Sequence, residues 1–310
     1  MGSYILKRLL HGAFVLLAIS LVVFFALRLT GDPVMAIMGQ GNPTQEAVDA
    51  MRRSLGLDLP LWKQLFKFLG DLAMGNLGTS FRNNQPVMPQ IVERMPATLT
   101  LAGAGLFVSL LVAVPVGIIS AVRRGGFLDI FGRIFALIGI SFPNFFLGIM
   151  LMLVFAVKLR WLPASGYQGF KYLILPGLTL GLILSSIITR LIRSTMLDVL
   201  RAQYIQTARA KGLSERLVIF RHAFRNAMIP AVTFIGLQLG ALLGGTVILE
   251  QVFSWPGVGR LALDAISNRD FPLVQGSVLI LATVMVIVNL VVDLSYGFLD
   301  PRIKVGGKGA

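Results

Sequence analysis

The stretch NAMIPAVTFIGLQLGALLGGTVIL, residues 226–249, contains no charged side chain and is bracketed by Arg225 and Glu250. It is longer than the roughly 20 residues that an α-helix needs to cross about 30 Å of hydrocarbon. Inside a bilayer only a helix or a closed barrel satisfies every backbone N–H and C=O group. The stretch therefore predicts a transmembrane helix.

Other uncharged stretches of similar length occur along the chain, each flanked by charged residues: 9–27, 95–122, 134–157, 172–189 and 271–292. The first is too long for the apolar core of a cleaved signal peptide, so we expect it to be retained. Pro115 and Pro143 lie inside two of these stretches and predict a bend, because proline lacks the N–H that a helix uses. The fold class predicted is all-α, a polytopic membrane protein with six transmembrane helices.

The composition supports a membrane protein, with 55% hydrophobic and only 14% charged residues among 310. Soluble domains carry about 25% charged residues, because their surfaces face water. The net charge of +14 does not indicate a nucleic-acid partner, because the basic residues lie between apolar stretches and form no basic face of a soluble domain. The absence of cysteine excludes disulfides, thiolate metal sites and a cysteine nucleophile.

The distribution of lysine and arginine predicts the orientation. With the N-terminus in the cytosol, 16 of these residues fall on cytosolic segments and 5 on the two short outer loops. Another 7 fall on the segment between the first two spans, which is long enough to be translocated regardless of charge. We therefore expect both termini in the cytosol and residues 30–96 outside.

The predicted outer segment, residues 30–96, has the character of a small folded cap. Helical patterns cover residues 44–55 and 61–72. In the second pattern Trp62, Phe66 and Leu69 recur at helical spacing. We expect them to pack either on the membrane boundary or on other helices.

The largest cytosolic loop connects the fourth and fifth spans and is too ordered for a plain tether. Residues 197–211 are good helix formers, Gly212 is typical of a helix stop, and Ser214 predicts the cap of a second short helix running toward Phe224. Ala202, Ala208 and Ala210 are small enough for another protein to approach, and Arg209 and Lys211 provide charges for acidic partners. On composition alone, a basic loop resting on anionic lipid remains the alternative.

The run YIQTARAKG at 204–212, followed by RHAFRNAMIP at 221–230, resembles the signature loop of permease subunits of binding-protein-dependent ABC importers. The resemblance is closest to the B-type subunit of the dipeptide/oligopeptide permease family. It extends over nearly the whole chain, through residues 4–10, GDP at 31–33, ISFP at 140–143, VFSWPG at 252–257 and DPR at 300–302.

The resemblance implies a type I ABC importer permease fold in which this loop is a coupling helix that docks on an ATPase subunit. The coupling residues it implies are Gln206, Thr207, Ala208, Arg209, Ala210, Lys211, Gly212, Leu213, Ser214 and Glu215. Gln206 stands where the general importer motif has glutamate, so a fixed charge is missing there. The implied domains are an N-terminal helix (1–29), the cap (30–96), a five-helix core (97–299) with the coupling loop at 191–229, and a cytosolic tail (300–310).

The same resemblance implies the partners and the location. We expect a homologous second permease, one or two cytosolic ATPase subunits, an external substrate-binding protein and membrane lipid, in the bacterial inner membrane. The chain itself is expected to hold no cofactor and no metal, because ATP and Mg²⁺ are used by the ATPase subunits. Short peptides are the expected cargo, delivered to a pathway of which this chain forms half, with glutathione or a nickel chelate as alternatives.

The chain has no phosphate-binding Gly-x-x-x-x-Gly-Lys-Ser/Thr motif and only two histidines, so we do not expect an enzyme. An ion-coupled secondary transporter is the rival class, but it would bury several ionisable groups where this chain has few. Trp255 in the loop after the fifth span is expected to act as an aromatic anchor. The candidates for the pathway or gate are Gln238, Gly240, Gly244, Glu250, Asn289 and Asp293. For the glycines the sequence favours helix packing over contact with the cargo. For Asp293 it favours a structural role, with Asn289 or a basic neighbour as its partner.

Overall fold

The computed structural model of this protein describes residues 2–38 and 44–299. Within those ranges the regular elements are helices, apart from an isolated antiparallel bridge between Thr79 and Pro86. The helices are α1 (Gly2–Leu29), α2 (Pro33–Met38), α3 (Gln45–Ser54), α4 (Leu61–Ala73), α5 (Val87–Val122), α6 (Phe127–Ser141), α7 (Asn144–Leu151), α8 (Phe170–Leu200), α9 (Gln203–Ala210), α10 (Glu215–Leu217), α11 (Phe224–Val252), α12 (Val258–Ser267) and α13 (Phe271–Leu299), with π-helical segments Met152–Lys158 and Val218–Ala223. The predicted tail, 300–310, lies outside the described residues.

Among the described residues, five helices are long and apolar enough to cross a membrane: Ile5–Leu29, Val87–Val122, Phe170–Leu200, Glu215–Val252 and Phe271–Asp293. A sixth crossing is formed if Phe127–Gly139 and Asn144–Lys158 count as one span, although the two are bent by 110°. The all-α class is confirmed. The third predicted span, 134–157, is thus a broken helix pair.

The break in the third span lies at Pro143, where a bend was predicted. Phe142 is extended (φ −94°, ψ 134°), as expected for a residue that precedes proline, and α7 begins directly after Pro143. At Pro115, α5 continues without a break, so the bend predicted there stays a prediction. Proline also lies inside α8 at Pro176 and inside α11 at Pro230.

The contacts divide the chain into two compact units, Met1–Thr98 with Pro256–Leu290 and Leu99–Trp255 with Val291–Ala310. The predicted outer cap therefore shares a unit with α12 and the first part of α13. That unit has a core of buried apolar side chains, comprising Leu27, Val87, Ile91, Val258, Leu261, Ala265, Phe271, Leu273 and Val274. The predicted helices at 44–55 and 61–72 are present as α3 and α4.

A buried carboxylate connects the 80–83 turn to the start of α13. Asp270 precedes the helix, and its Oδ1 accepts hydrogen bonds from the backbone N–H groups of Phe81 (3.1 Å) and Leu273 (3.4 Å). The Ser80 hydroxyl donates to Asp270 Oδ2 at 2.5 Å, and both residues are buried. Asp270 thus caps α13 and fixes the turn at the same time.

In the second unit α8 is central and packs against α6, α7 and α11. Glycines allow α5 to approach α8 closely. A Cβ atom placed on Gly181 would lie 2.5 Å from Val108 Cβ and 2.9 Å from the carbonyl oxygen of Gly105. Close approach at small residues is the usual way in which helices associate in membranes, where no hydrophobic effect drives them together.

Candidate functional site

The candidate site is the connection between α8 and α11, at the end of the fourth predicted span. α8 continues beyond that span to Leu200, and the chain then turns at Arg201 and Ala202 before α9 begins. The single helix predicted over 197–211 is therefore divided in two. The residues at the break are good helix formers, so packing rather than local propensity produces the turn.

Gly212 ends α9 with the left-handed conformation that a glycine stop requires. Its φ is +77°, and its N–H donates to the Arg209 carbonyl at 2.9 Å. No heavy atom lies within 4 Å of the position that a Cβ atom would take. Glycine is thus required here by the backbone conformation and not by crowding.

The segment after Gly212 differs from the second short helix that we predicted. Ser214 has the extended conformation of an N-cap, but its side chain makes no capping hydrogen bond. From Glu215 the chain forms one 38-residue helix to Val252, passing through the π-helical segment Val218–Ala223. The fifth span therefore begins inside the elbow, which we define as residues 201–218.

Two polar contacts hold α9 against this long helix. Arg209 donates from Nε to Glu215 Oε1 at 2.7 Å and from Nη2 to Glu215 Oε2 at 3.2 Å, across the Gly212 turn. Asn226 Nδ2 donates to the Tyr204 hydroxyl at 2.9 Å. Arg209 therefore has a partner in its own chain, whereas the sequence indicated an acidic group on another protein.

The two faces of α9 differ in exposure. Ile205 and Ala208 are buried, and α9 packs against Val218–Ala223. Ala208 is therefore covered by its own chain and offers little surface to another protein. The predicted coupling residues that are exposed are Gln206, Thr207, Arg209, Ala210, Lys211, Gly212, Ser214 and Glu215, while Leu213 is half-buried.

An ion pair that sequence reasoning missed stabilises α8 just before the elbow. Arg193 on α8 donates from Nε to Asp129 Oδ1 at 2.6 Å and from Nη2 to Asp129 Oδ2 at 3.0 Å, and the N–H of Gly125 donates to the same carboxylate at 3.0 Å. Asp129, at the start of α6, is 1% exposed. A bidentate contact of this kind sets both distance and orientation, so it fixes the C-terminal part of α8 on α6.

The pathway candidates on α11 do not form one cluster. Gly240 and Glu250 are buried, Gln238 is half-buried, and Gly244 is exposed with no heavy atom within 4 Å of a Cβ position. They extend over about 18 Å of helix at 1.5 Å per residue. On α13 the candidates Asn289 and Asp293 are half-buried. Among the described residues no group of three or more histidine or acidic side chains is arranged to hold a metal ion.

The loop after α11 places Trp255 in an environment that the sequence did not predict. Trp255 is 2% exposed, its N–H donates to the Glu250 carbonyl at 2.8 Å, and its ring meets that of Tyr167 edge to face at 4.7 Å. Such aromatic pairs stabilise a folded core. Trp255 is therefore a core residue, whereas the sequence indicated an aromatic anchor of the membrane interface.

Comparisons with known proteins agree with the resemblance to permease subunits that the sequence of the elbow indicated. The dipeptide transport system permease protein DppB of Alkalihalophilus pseudofirmus is 40% identical, over 98% of this chain and 100% of that protein. The glutathione transport system permease protein GsiC of Salmonella paratyphi A is 42% identical, over 98% and 99%. An inward-facing structure of the MetNI methionine ABC transporter superposes with a TM-score of 0.57 at 17% identity, over 69% of this chain and 98% of that one, which supports the fold alone.

Two family models match as well, and together they cover both units. The N-terminal model of binding-protein-dependent transport system membrane components matches residues 1–102, and the model of the inner membrane component matches residues 113–305. The second match includes α6 to α13 and with them the elbow. The chain accordingly belongs to the binding-protein-dependent transport system inner membrane component family.

Proposed function

We propose that this chain is the permease subunit of an ATP-driven importer and forms half of a pathway for short peptides. The name of the dipeptide permease relative supports this cargo class, and the name of the glutathione permease relative keeps glutathione as the alternative. A homologous permease would supply the other half, and an external binding protein would deliver the peptide. One or two cytosolic ATPase subunits would use the ATP and Mg²⁺.

The observation that carries the proposal is the continuity of the elbow with two long helices. α9 follows α8 after a two-residue turn, and it lies against the helix that continues to Val252. A force on the exposed face of α9 would therefore move the inner ends of both helices together. This is what a coupling element needs if closure of an ATPase is to alter the pathway.

We infer that the elbow and both termini lie in the cytosol. The bias of lysine and arginine toward those segments supports this orientation. It brings Lys211 and the exposed residues of α9 to the side on which ATP is available. Residues 30–96 then face the external binding protein.

The first experiment separates a docking element from a basic tether by charge reversal at two exposed residues. Lys211 lies on the elbow and Arg124 on another loop of the same proposed side. We expect Lys211→Glu to reduce both co-purification of the ATPase subunits and ATP-driven uptake in vesicles, while Arg124→Glu leaves them near wild type. Equal losses would indicate attraction to anionic lipid, and no loss in either would refute the docking role.

A second pair of variants tests the geometry of the turn. Because a Cβ at Gly212 meets no neighbour, Gly212→Val should act through the left-handed φ alone, at a cost of about 1–2 kcal/mol. Asparagine tolerates that conformation, so Gly212→Asn is the matched control. We expect valine to weaken ATPase association and asparagine to retain most of it. Wild-type association and uptake in the valine variant would contradict the proposal.

The energy source and the cargo are tested by uptake in vesicles that contain the whole transporter and its binding protein. We expect uptake of a labelled dipeptide to require ATP and to continue when ionophores remove the gradients of protons and other ions. Uptake driven by the gradient without ATP would support a secondary transporter instead. A nickel chelate that is imported while dipeptides are not would keep the coupling proposal and overturn the cargo.

A further inference from the structure

Helix α4 has three faces of different chemistry. At 100° per residue, Gln64 and Phe68 share one face, the apolar Trp62, Phe66 and Leu69 share a second, and Lys63 and Lys67 share a third. Trp62 and Phe66 are 59% and 69% exposed, and both lysines are exposed. An exposed apolar stripe beside a basic stripe is typical of helices that lie in a membrane interface.

The first face fixes the position of α4 along the first span. The ring of Phe68 stacks on that of Phe24 at 5.6 Å, and Arg28 Nε donates to the Gln64 side chain at 3.0 Å. Phe24 and Arg28 lie at the end of the candidate span Ile5–Leu29, and four residues of helix separate them by about 6 Å. Interfacial helices insert about 5–10 Å into the boundary between headgroups and acyl chains. The contacts thus place α4 at the level where such a helix lies.

The neighbouring surface of α1 favours lipid as the occupant of the apolar face. Val22, Phe25 and Leu29, near the same end of α1, are 66%, 45% and 87% exposed within a helix that matches a membrane span. The stripe on α4 is therefore at the height of a surface suited to acyl chains. The Lys63 ammonium lies 5.3 Å from the centre of the Trp62 ring. Tryptophan and lysine side by side are typical of the headgroup region, where each keeps an apolar part in lipid and a polar part in water.

We propose that α4 is an interfacial helix that lies in the bilayer surface at the C-terminal end of α1. Trp62, Phe66 and Leu69 enter the acyl boundary, and Lys63 and Lys67 contact lipid phosphates. The helix thereby fixes the depth of α1 in the bilayer through the Phe68 and Arg28 contacts. This inference does not depend on the cargo or on the coupling role of α9.

Spin labelling tests the proposal, and the absence of cysteine from this chain means that a single introduced cysteine carries the label. The complete transporter, with cysteine-free partner subunits, is placed in nanodiscs of phosphatidylcholine and phosphatidylglycerol. Labels at Trp62→Cys and Phe66→Cys are compared with labels at Lys63→Cys and Lys67→Cys. Collision rates with oxygen, which enters lipid, and with a water-soluble nickel chelate are then measured. All four residues are exposed in the chain, so the labels should not disturb its packing. Gel filtration checks that each labelled variant still assembles.

We expect the ratio of oxygen to nickel collisions to be several-fold higher at positions 62 and 66 than at 63 and 67. Similar ratios at all four positions would mean that the apolar and basic faces lie in the same environment, and the proposal would fail. Protection of positions 62 and 66 from both reagents would also overturn it, because the face would then be covered by protein. Leu69→Cys provides a second reading of the apolar face if either aromatic residue proves intolerant of substitution.

Discussion

The buried Asp129–Arg193 pair leads to the sharpest prediction about stability. Replacing Arg193 by leucine removes both guanidinium hydrogen bonds from a carboxylate that is 1% exposed. The Gly125 N–H remains at 3.0 Å, and Arg133 Nε remains at 3.8 Å but is largely exposed. Removal of one partner from a buried pair usually costs 3–5 kcal/mol, so with this partial compensation we expect a loss of about 3 kcal/mol.

The reciprocal change should cost less. With Asp129→Asn, the Arg193 side chain is 21% exposed and keeps access to water, so we expect a loss of about 1–2 kcal/mol. Since the two residues contact each other directly, the double variant should be less destabilised than the sum of the two single variants, by about 1–2 kcal/mol. Arg193→Lys keeps the charge but loses the planar fork, and its effect should be intermediate.

The assay is equilibrium unfolding of the purified chain in mixed micelles as the fraction of dodecyl sulfate rises. Arg190→Leu is the matched control, because Arg190 lies on the same helix, is exposed and should cost less than about 0.5 kcal/mol. If Arg193→Leu costs no more than this control, the pair does not fix α8 on α6. Strict additivity in the double variant would also refute the reasoning.

Other predictions follow from packing, orientation and pH. Gly181→Ala should lower the unfolding free energy by about 1–3 kcal/mol because α5 blocks a Cβ there, whereas Gly103→Ala, with nothing within 4 Å, should not. Exposed Thr79→Cys should react with an impermeant maleimide in intact cells and Ser214→Cys should not; the opposite pattern would invert the topology. Burial raises the pKa of Asp32, but hydrogen bonds from a backbone N–H and an arginine outweigh it, so the net pKa is lowered. The contribution of the Asp32 carboxylate to stability should therefore be present above the ordinary aspartate pKa of about 3.9 and be lost as the pH falls through the lowered pKa. Hydrogen exchange of α2 and α3, measured against pH, should show this loss. Asp32→Asn should abolish that pH dependence.

Much of the fold was predictable because the decisive signals are local. A bilayer requires about 20 consecutive residues without charge, so the uncharged centre of each span could be located from the sequence, although α8 and the helix that ends at Val252 extend beyond it. Pro143 broke its helix because it lacks an N–H and forces the residue before it to be extended. The stop at Gly212 was predictable for the same kind of reason, since few other residues adopt a φ of +77° at low cost.

The orientation of side chains in the elbow was not predictable in the same way. Ala208 is buried and Ala210 is exposed, yet alanine has no preference that separates them. The turn at Ala202 interrupts a run of good helix formers, because α9 must lie against Val218–Ala223 to bury Ile205. Which face of a short helix is covered depends on the element beside it, and that element is positioned by the whole fold.

The sequence by itself determined the membrane class, the spans, the amphipathic α4 and the glycine turn of the elbow. The tertiary structure alone decided that Trp255 is a core residue against Tyr167, and that Arg193 pairs with Asp129 across 64 positions of sequence. Spans, stripes and turns arise from the chemistry of adjacent residues. The Trp255–Tyr167 and Arg193–Asp129 contacts form only when segments distant in sequence pack together, because a buried charge or ring must find its partner wherever the fold brings one within reach.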